Sequence, residues 1–211
     1  MAAARRSWYR TTMAMRAVTL FSPMALSAVL ILAGCATTGR DIGPQSLAPQ
    51  SFAQACFAAA SQRQPALVGE RRCDAALADP ALRQELRAAT LVNRGIVAMN
   101  AGRIDAATRD FDAAIALAPD NADAHINKGV ALLQVKGRAA DAITVLTLAL
   151  DLAPRRPELA YYHRAIANEA LGRLRAAYED YAVAAQLAPD WPEPATQLQR
   201  FKVVRRKTLS G

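Results

Sequence analysis

Glycine and proline interrupt the hydrophobic pattern of this chain at a fixed interval. Between residues 88 and 190, apolar stretches suited to helices alternate with one glycine turn and one proline stop every 35 residues. Such a glycine supplies the left-handed residue that ends a first helix, and the proline ends a second helix because it cannot continue the hydrogen-bond ladder. The interrupting residues are Gly102, Gly137 and Gly172, and Pro119, Pro154 and Pro189. The pattern predicts three copies of one unit, and Asp120 and Asp190 are expected to cap the helices that follow two of them.

The composition favours an all-α domain. Of the 211 residues, 53% are hydrophobic, mostly alanine and leucine, and only 6% are aromatic. Alanine and leucine lose little side-chain freedom in a helix. Each helical unit buries its apolar face only against its neighbours, so we expect the units to stack and both ends of the stack to be capped.

Further helical patterns lie at both ends of the repeats. Residues 51–79 predict a helical hairpin with a turn at Gln64-Pro65, and Asp79-Pro80 is typical of an N-cap and the first residue of a long helix. Residues 191–211 predict a capping helix and a basic tail. In that helix one face is apolar and the other is solvated. The apolar face holds Leu198, Phe201 and Val204, and the solvated face holds Gln197, Arg200 and Arg205.

The first 34 residues have the layout of an export signal. An arginine-containing start precedes an uncharged, apolar run over residues 17–34. The run ends in Leu32-Ala33-Gly34-Cys35, which resembles the bacterial lipobox. In that family the cysteine sulfur receives a diacylglycerol and the signal is cleaved just before it. The resemblance implies a signal peptide over residues 1–34, a lipid on Cys35 and a linker over residues 35–50; the alternative is an uncleaved anchor helix with a chance cysteine.

The residue after Cys35 indicates which of the two bacterial membranes would hold the protein. An aspartate there typically retains such a lipoprotein in the inner membrane, and this chain has Ala36. Resemblance to that sorting rule implies the bacterial outer membrane, with the body of the protein facing the periplasm. The inner membrane is the alternative.

The two other cysteines form an even pair. With Cys35 acylated, Cys56 and Cys73 would face an oxidising compartment, where disulfides persist. Each lies in a predicted helix of the hairpin, and a bridge closing about 17 residues would stabilise by roughly 3 kcal/mol. The alternative is two buried free thiols. Neither cysteine has a neighbour at metal-ligand spacing, and His125 and His163 are far apart, so no metal and no cofactor is expected.

The repeated unit resembles the tetratricopeptide repeat. The first helix in that family carries a large, a small and a large residue at intervals of four and three. Its second helix carries an alanine four positions before an aromatic residue, and a proline closes the unit. The residues at these positions are Leu91, Gly95, Ala98, Ala107, Phe111 and Pro119 in the first unit, His125, Gly129, Leu132, Ala142, Leu146 and Pro154 in the second, and Tyr161, Ala165, Asn168, Ala177, Tyr181 and Pro189 in the third; Ala98, His125 and Asn168 depart from the family pattern. The resemblance implies a right-handed superhelix with three repeats over residues 80–190.

A groove follows from the same resemblance. In tetratricopeptide proteins the first helices of successive repeats line a concave surface that holds a peptide or a partner helix. The corresponding residues are Val92, Asn93, Ile96, Met99, Ile126, Asn127, Val130, Leu133, Tyr162, His163, Ile166 and Glu169. Apolar members would bury anchors of a partner, and the row of Asn93, Asn127 and His163 would hydrogen-bond its backbone. The alternative is that the terminal helix covers these residues.

The net charge of +8 does not indicate nucleic-acid binding, because the basic excess lies at the two ends of the chain. Residues 35–199 hold 17 basic and 18 acidic residues. The basic tail over residues 200–207 could touch anionic lipid, or it could be a solvated helix end. Four acidic residues are predicted to be solvated surface charges, namely Asp110, Asp112, Glu179 and Asp180.

The sequence favours a non-enzymatic protein. It has no glycine-rich phosphate loop and no G-x-S-x-G nucleophile motif. The main hypothesis is an adaptor: a periplasm-facing lipoprotein, held in the membrane through Cys35, whose repeats bind another envelope protein or peptide. One alternative is a recruiter or regulator of peptidoglycan enzymes through the same groove, and another is an enzyme.

Overall fold

A computed structural model describes residues 49–201, which contain nine α-helices and no β-strand. The helices are α1 (Pro49–Ser61), α2 (Ala66–Leu77), α3 (Gln84–Asn100), α4 (Ile104–Leu117), α5 (Ala122–Leu133), α6 (Ala139–Asp151), α7 (Pro157–Ala170), α8 (Leu174–Leu187) and α9 (Pro192–Leu198). Each helix packs against the next, and α3 contacts both α1 and α5, while α5 contacts α7. The helical pairs are therefore stacked side by side, and the predicted all-α fold class is confirmed.

Several sequence predictions concern residues outside this range. The export signal, Cys35, the linker up to residue 48 and the basic tail from residue 202 are not among the described residues. These assignments stay predictions. Within residues 49–201, no helix is long and apolar enough to cross a membrane.

The glycine turns lie where the sequence places them. Gly102, Gly137 and Gly172 have φ angles of 76°, 84° and 71°, in the left-handed region that glycine adopts without steric cost. They join α3 to α4, α5 to α6, and α7 to α8. The three predicted prolines follow within three residues of the ends of α4, α6 and α8. The described residues thus contain the predicted unit of helix, turn, helix and stop in three copies.

The predicted helix caps were wrong by one residue. Asn121 caps α5, since its side chain accepts a hydrogen bond from the Ala124 N–H at 3.1 Å. The chain turns over Pro119 and Asp120, because the Asn121 N–H bonds back to the Ala118 carbonyl, and this turn shifts the cap beyond the aspartate. Before α9 the same turn places Trp191 at the N-cap, without a side-chain bond, so Asp190 caps nothing either.

A small residue on the first helix of each repeat meets a large residue on the second. A Cβ atom added to Gly95 would lie 2.5 Å from Phe111 Cε1, and one added to Gly129 would lie 2.6 Å from Leu146 Cγ. In the third repeat Ala165 shares a buried cluster with Tyr181. Close approach of the two helices therefore depends on these pairs, and the core runs along the stack between them.

A disulfide joins the two helices of the N-terminal hairpin. Cys56 of α1 and Cys73 of α2 are bonded, and both are fully buried. The Cys56 sulfur also lies 3.7 Å from the Thr90 carbonyl oxygen of α3. That contact is packing, because a disulfide sulfur has no proton to donate. The hairpin is thereby fixed internally and seated on the first repeat.

The segment between α2 and α3 forms a turn instead of the predicted helix start. The Asp79 side chain accepts a hydrogen bond from the Ala81 N–H at 2.8 Å, and its backbone carbonyl accepts one from the Leu82 N–H at 3.2 Å. Leu82 is buried against the hairpin, and α3 begins only at Gln84. The helix-start prediction was wrong because Asp79 closes a local turn, a conformation that aspartate favours.

The C-terminal cap also differs from the sequence prediction. Helix α9 ends at Leu198, so the predicted helical face through Phe201 does not form, although Leu198 and Phe201 both pack on the third repeat. Gln197, expected on the solvated face, is only 7% exposed and accepts a hydrogen bond from Arg200. A helix of two turns cannot separate two faces cleanly, and packing on α8 decides which side chains are buried.

Candidate functional site

The predicted groove residues lie on α3, α5 and α7, the first helices of the three repeats. Two of them contribute little surface: Val92 is 7% exposed and Ile126 is 4% exposed, and each belongs to a core cluster. Their assignment to a binding surface was wrong, because side chains packed into the core clusters offer almost no surface to a partner. The remaining predicted residues are partly exposed, namely Asn93, Ile96, Met99, Asn127, Val130, Leu133, Tyr162, His163, Ile166 and Glu169.

The middle of the groove is apolar. Ile96 and Met99 pack on the core of the first repeat, and Val130 and Leu133 pack on the core of the second, each with part of its surface open. Side chains of this kind can bury an apolar anchor of another protein without rearranging the fold. These four residues define what we call the central groove.

The polar row predicted along the groove is less available than the sequence suggests. The Asn127 amide donates to the Asp123 carbonyl of its own helix at 2.8 Å. His163 is half-buried, and desolvation lowers its pKa to about 4, so the imidazole is neutral at neutral pH. Asn93 forms no such internal bond within the described residues. Asn93 is therefore the member of the row with an amide open to a partner.

The C-terminal cap covers the third repeat. The Tyr162 ring lies 4.7 Å from the Trp191 ring, centroid to centroid, and Ile166 shares a cluster with Leu198 and Phe201. The cap therefore covers part of Tyr162 and Ile166, and the alternative of a covered surface holds for this part of the predicted groove.

A polar chain fixes the cap in place. The Tyr181 hydroxyl donates to Glu169 at 3.2 Å, and Glu169 also pairs with Arg200. Burial, together with the adjacent Glu169 carboxylate, raises the pKa of Tyr181, which keeps the phenol protonated. Glu169, a predicted groove residue, therefore serves the packing of the cap.

Sequence reasoning missed a second opening at the other end of the stack. A pocket of about 420 Å³, which we call the N-terminal pocket, lies between α1 and α3. Its lining includes Ala53, Gln54, Phe57, Arg83, Leu86 and Asn93. The neighbouring residues Cys56 and Phe57 were the signal in the sequence that could have revealed this pocket. A disulfide at Cys56 fixes which face of α1 is buried, and the next residue along a helix points away from that face. Phe57 is accordingly 61% exposed.

Two buried ion pairs join the helices of the first and third repeats. Arg94 donates twice to Asp110, at 2.9 and 2.6 Å, and Arg164 donates twice to Asp180, at 2.9 and 2.7 Å. These hydrogen bonds raise the pKa of both arginines. Asp110 and Asp180 are 8% and 6% exposed, so their prediction as solvated charges was wrong. The reason is geometric, since a spacing of 16 residues across a helix–turn–helix brings the arginine and aspartate face to face.

The other two acidic residues also form ion pairs, but at the surface. Lys128 takes the arginine's place in the middle repeat, where the partner position holds Val145, and it pairs with Asp112 of the preceding repeat at 2.6 Å. Glu179 pairs with Arg175 along α8 at 2.8 Å. The buried His125 forms a hydrogen bond through Nε2 to the Pro119 carbonyl oxygen at 2.9 Å. Among residues 49–201, no group of three histidine, cysteine or acidic side chains could hold a metal ion.

These features define an array of helix–turn–helix repeats with an apolar groove and capped ends. Residues 92–157 match the tetratricopeptide repeat family. These residues therefore carry tetratricopeptide repeats, and members of that family bind other proteins or peptides. No curated protein sequence matches the chain.

Solved structures share the fold at low sequence identity. A MamA structure, "MamA MSR-1 C2", matches with a TM-score of 0.56 and 18% identity, over 72% of this chain and 83% of that chain. MamA from Desulfovibrio magneticus RS-1, residues 41 to the end, matches with a TM-score of 0.57 and 24% identity, over 71% and 79%. A mutant O-GlcNAc transferase from Thermobaculum terrenum matches with a TM-score of 0.53 and 24% identity, over 67% of this chain but only 27% of the transferase.

Proposed function

We propose that this protein is a non-enzymatic scaffold of the bacterial envelope, held in the outer membrane by a lipid on Cys35, whose repeats bind another protein in the periplasm. The observation that carries the proposal is the central groove. Ile96 and Met99 lie on α3, Val130 and Leu133 lie on α5, and these two helices are in contact. Each of the four apolar side chains is partly exposed. A scaffold needs exposed apolar side chains of this kind, because their burial by the partner supplies most of the free energy of association.

The membrane part of the proposal rests on the sequence. Leu32-Ala33-Gly34-Cys35 matches the lipobox at all its positions, after an apolar run of the expected length. Acyl chains in the bilayer contribute about 0.8 kcal/mol per buried methylene, so a diacylated and N-acylated cysteine anchors stably. Metabolic labelling with a radioactive fatty acid tests this part. Label that persists after Cys35→Ser would refute the anchor.

The oxidised hairpin supports the same compartment. Cys56 and Cys73 form a disulfide, and structural disulfides persist mainly outside the reducing cytosol. Alkylation of the protein in intact cells, with and without prior reduction, tests this placement. Free thiols at both positions in unreduced cells would contradict it.

In-cell photo-crosslinking tests the docking function. A photoreactive residue replaces Val130 in one strain and Arg175 in another, the latter a matched control because its side chain is 93% exposed on α8. We expect a discrete adduct from position 130 and none from position 175. The absence of an adduct at position 130 would refute docking in the central groove. Mass spectrometry of the adduct then distinguishes an adaptor for another envelope protein from a recruiter of peptidoglycan enzymes.

A further inference from the structure

The N-terminal pocket has a rigid apolar wall. Phe57 of α1 stands on one side, and Leu86 and Ala89 of α3 stand on the other. The disulfide through Cys56 joins α1 to α2, and both helices pack on α3, so the wall is set before any ligand arrives. A site that is already ordered loses little conformational entropy on binding. Its volume of about 420 Å³ lies within the range of ligand pockets, about 300–1,000 Å³.

The lining of the N-terminal pocket carries a positive charge and no negative charge. Arg83 lies at its edge and is exposed, and within residues 49–201 the Arg83 side chain forms no ion pair or hydrogen bond. Arg94 and Arg164, by contrast, each have a carboxylate partner. No acidic residue lines the pocket. An apolar pocket with one uncompensated guanidinium at its edge is complementary to an apolar group that lies beside a negative charge.

Two amides complete the site. Gln54 and Asn93 lie on opposite sides of the pocket, on α1 and α3. An amide both donates and accepts, so the pair can hydrogen-bond the backbone of an extended or helical peptide segment. A small apolar molecule would leave these groups unused.

We propose that the N-terminal pocket binds a protein segment in which a bulky apolar side chain stands next to an aspartate or glutamate. The apolar side chain packs against Phe57 and Leu86, and the carboxylate pairs with Arg83. This inference rests on the proposed scaffold function and deepens it, since it names the chemistry of a partner segment and a place distinct from the central groove.

A random-peptide phage library supplies the probe. It is panned on the chain from Cys35 onward, kept in detergent because of the lipid proposed on Cys35, and the enriched peptides are synthesised for affinity measurement by fluorescence anisotropy. We expect a shared pair of one bulky apolar residue and one acidic residue. Exchange of the acid for its amide should weaken binding about tenfold, as should Arg83→Glu or Phe57→Ser in the protein, a change of about 1.4 kcal/mol.

Matched controls separate a specific effect from a general one. Arg155→Glu changes an exposed arginine away from the pocket, and Leu148→Ser changes an exposed apolar residue of α6. Neither should alter the affinity. Replacing the peptide's acid by lysine should restore binding to the Arg83→Glu variant, and this exchange of charges would establish the contact directly.

Several outcomes would overturn the inference. These are no enrichment from the library, a consensus without an acid, or equal binding by the wild type and Arg83→Glu. Peptides whose binding is lost in Val130→Ser and retained in Phe57→Ser would overturn this inference alone and leave the proposed function standing. A photoreactive residue can also be placed at position 57. A crosslink from it to residues 36–48 of the same chain, or to a second copy of the protein, would overturn the inference, because the pocket would then be occupied by this protein and not by a different partner.

Discussion

Replacing Asp180 by asparagine should destabilise the third repeat strongly. Asp180 accepts two hydrogen bonds from Arg164 and one from Asn168, at 2.9, 2.7 and 3.2 Å, and its side chain is 9% exposed. Breaking a buried ion pair by removing one partner costs about 3–5 kcal/mol, because the other charge stays buried. Arg164 is 21% exposed and keeps its bond to Thr147, so we expect the lower end, about 3 kcal/mol. Urea unfolding followed by circular dichroism at the helix band measures the change.

The adjacent carboxylate is the control. Glu179 pairs with Arg175 on the solvent side of the same helix, and solvent screens exposed pairs of this kind so that they contribute little to stability. Glu179→Gln should therefore leave the unfolding midpoint almost unchanged. Equal shifts for Asp180→Asn and Glu179→Gln would refute the reasoning, since both residues would then act as surface charges. The middle repeat suggests a compensating change: Arg164→Lys combined with Asp180→Val reproduces its Lys128 and Val145, and should be less destabilising than Asp180→Val alone.

Three further results are expected. Replacing Cys56 and Cys73 together by alanine should lower the free energy of unfolding by about 3 kcal/mol, because the bridge closes a separation of 17 residues, and an unchanged urea midpoint would contradict this. Gly95→Ala places a methyl group 2.5 Å from the buried Phe111 ring. This substitution should lower the free energy of unfolding by about 1–2 kcal/mol, because overpacking costs about 1–3 kcal/mol while alanine gains only about 1 kcal/mol in helix propensity. In a Phe111→Leu variant, which has room for the methyl group, most of this destabilisation should disappear. His163 has a pKa of about 4 in the folded protein, compared with the usual 6.5. Between pH 4 and 6.5 the unfolded chain therefore binds more protons than the folded chain, and the free energy of unfolding should rise as the pH rises through this window. The melting temperature should depend less steeply on pH in His163→Asn.

Much of the fold follows from local sequence rules. Gly102, Gly137 and Gly172 adopt the left-handed turns that their positions predict, and the pairing of Gly95 with Phe111 recurs as Gly129 with Leu146. These features can be predicted because the requirement for each is satisfied within one repeat. Two errors occurred at connections, where Asp79 closes a turn and Asn121 replaces Asp120 as the cap. At a helix start, several neighbouring side chains can accept hydrogen bonds from the same backbone N–H groups, and small differences in packing decide which of them does.

The residues of the candidate site were harder to predict from the sequence than the fold. Position-by-position transfer assigned Val130 and Leu133, which are partly exposed, to the groove, but it also included Val92 and Ile126, which are buried. The N-terminal pocket combines α1 with α3, and no motif links Phe57 to Asn93. The pairing of Arg94 with Asp110 was missed although an arginine and aspartate 16 residues apart recur in the third repeat.

The sequence by itself determined the alternation of helices and turns in the three repeats and the order in which the helices stack, because helix propensity, glycine turns and proline stops act over a few neighbouring residues. The tertiary structure decided which side of each helix remains open. Exposure depends on the rotation of each helix against two or three others, and on whether a cap such as Trp191 covers the last one. The same apolar pattern therefore gives a buried Val92 in one place and an exposed Phe57 in another.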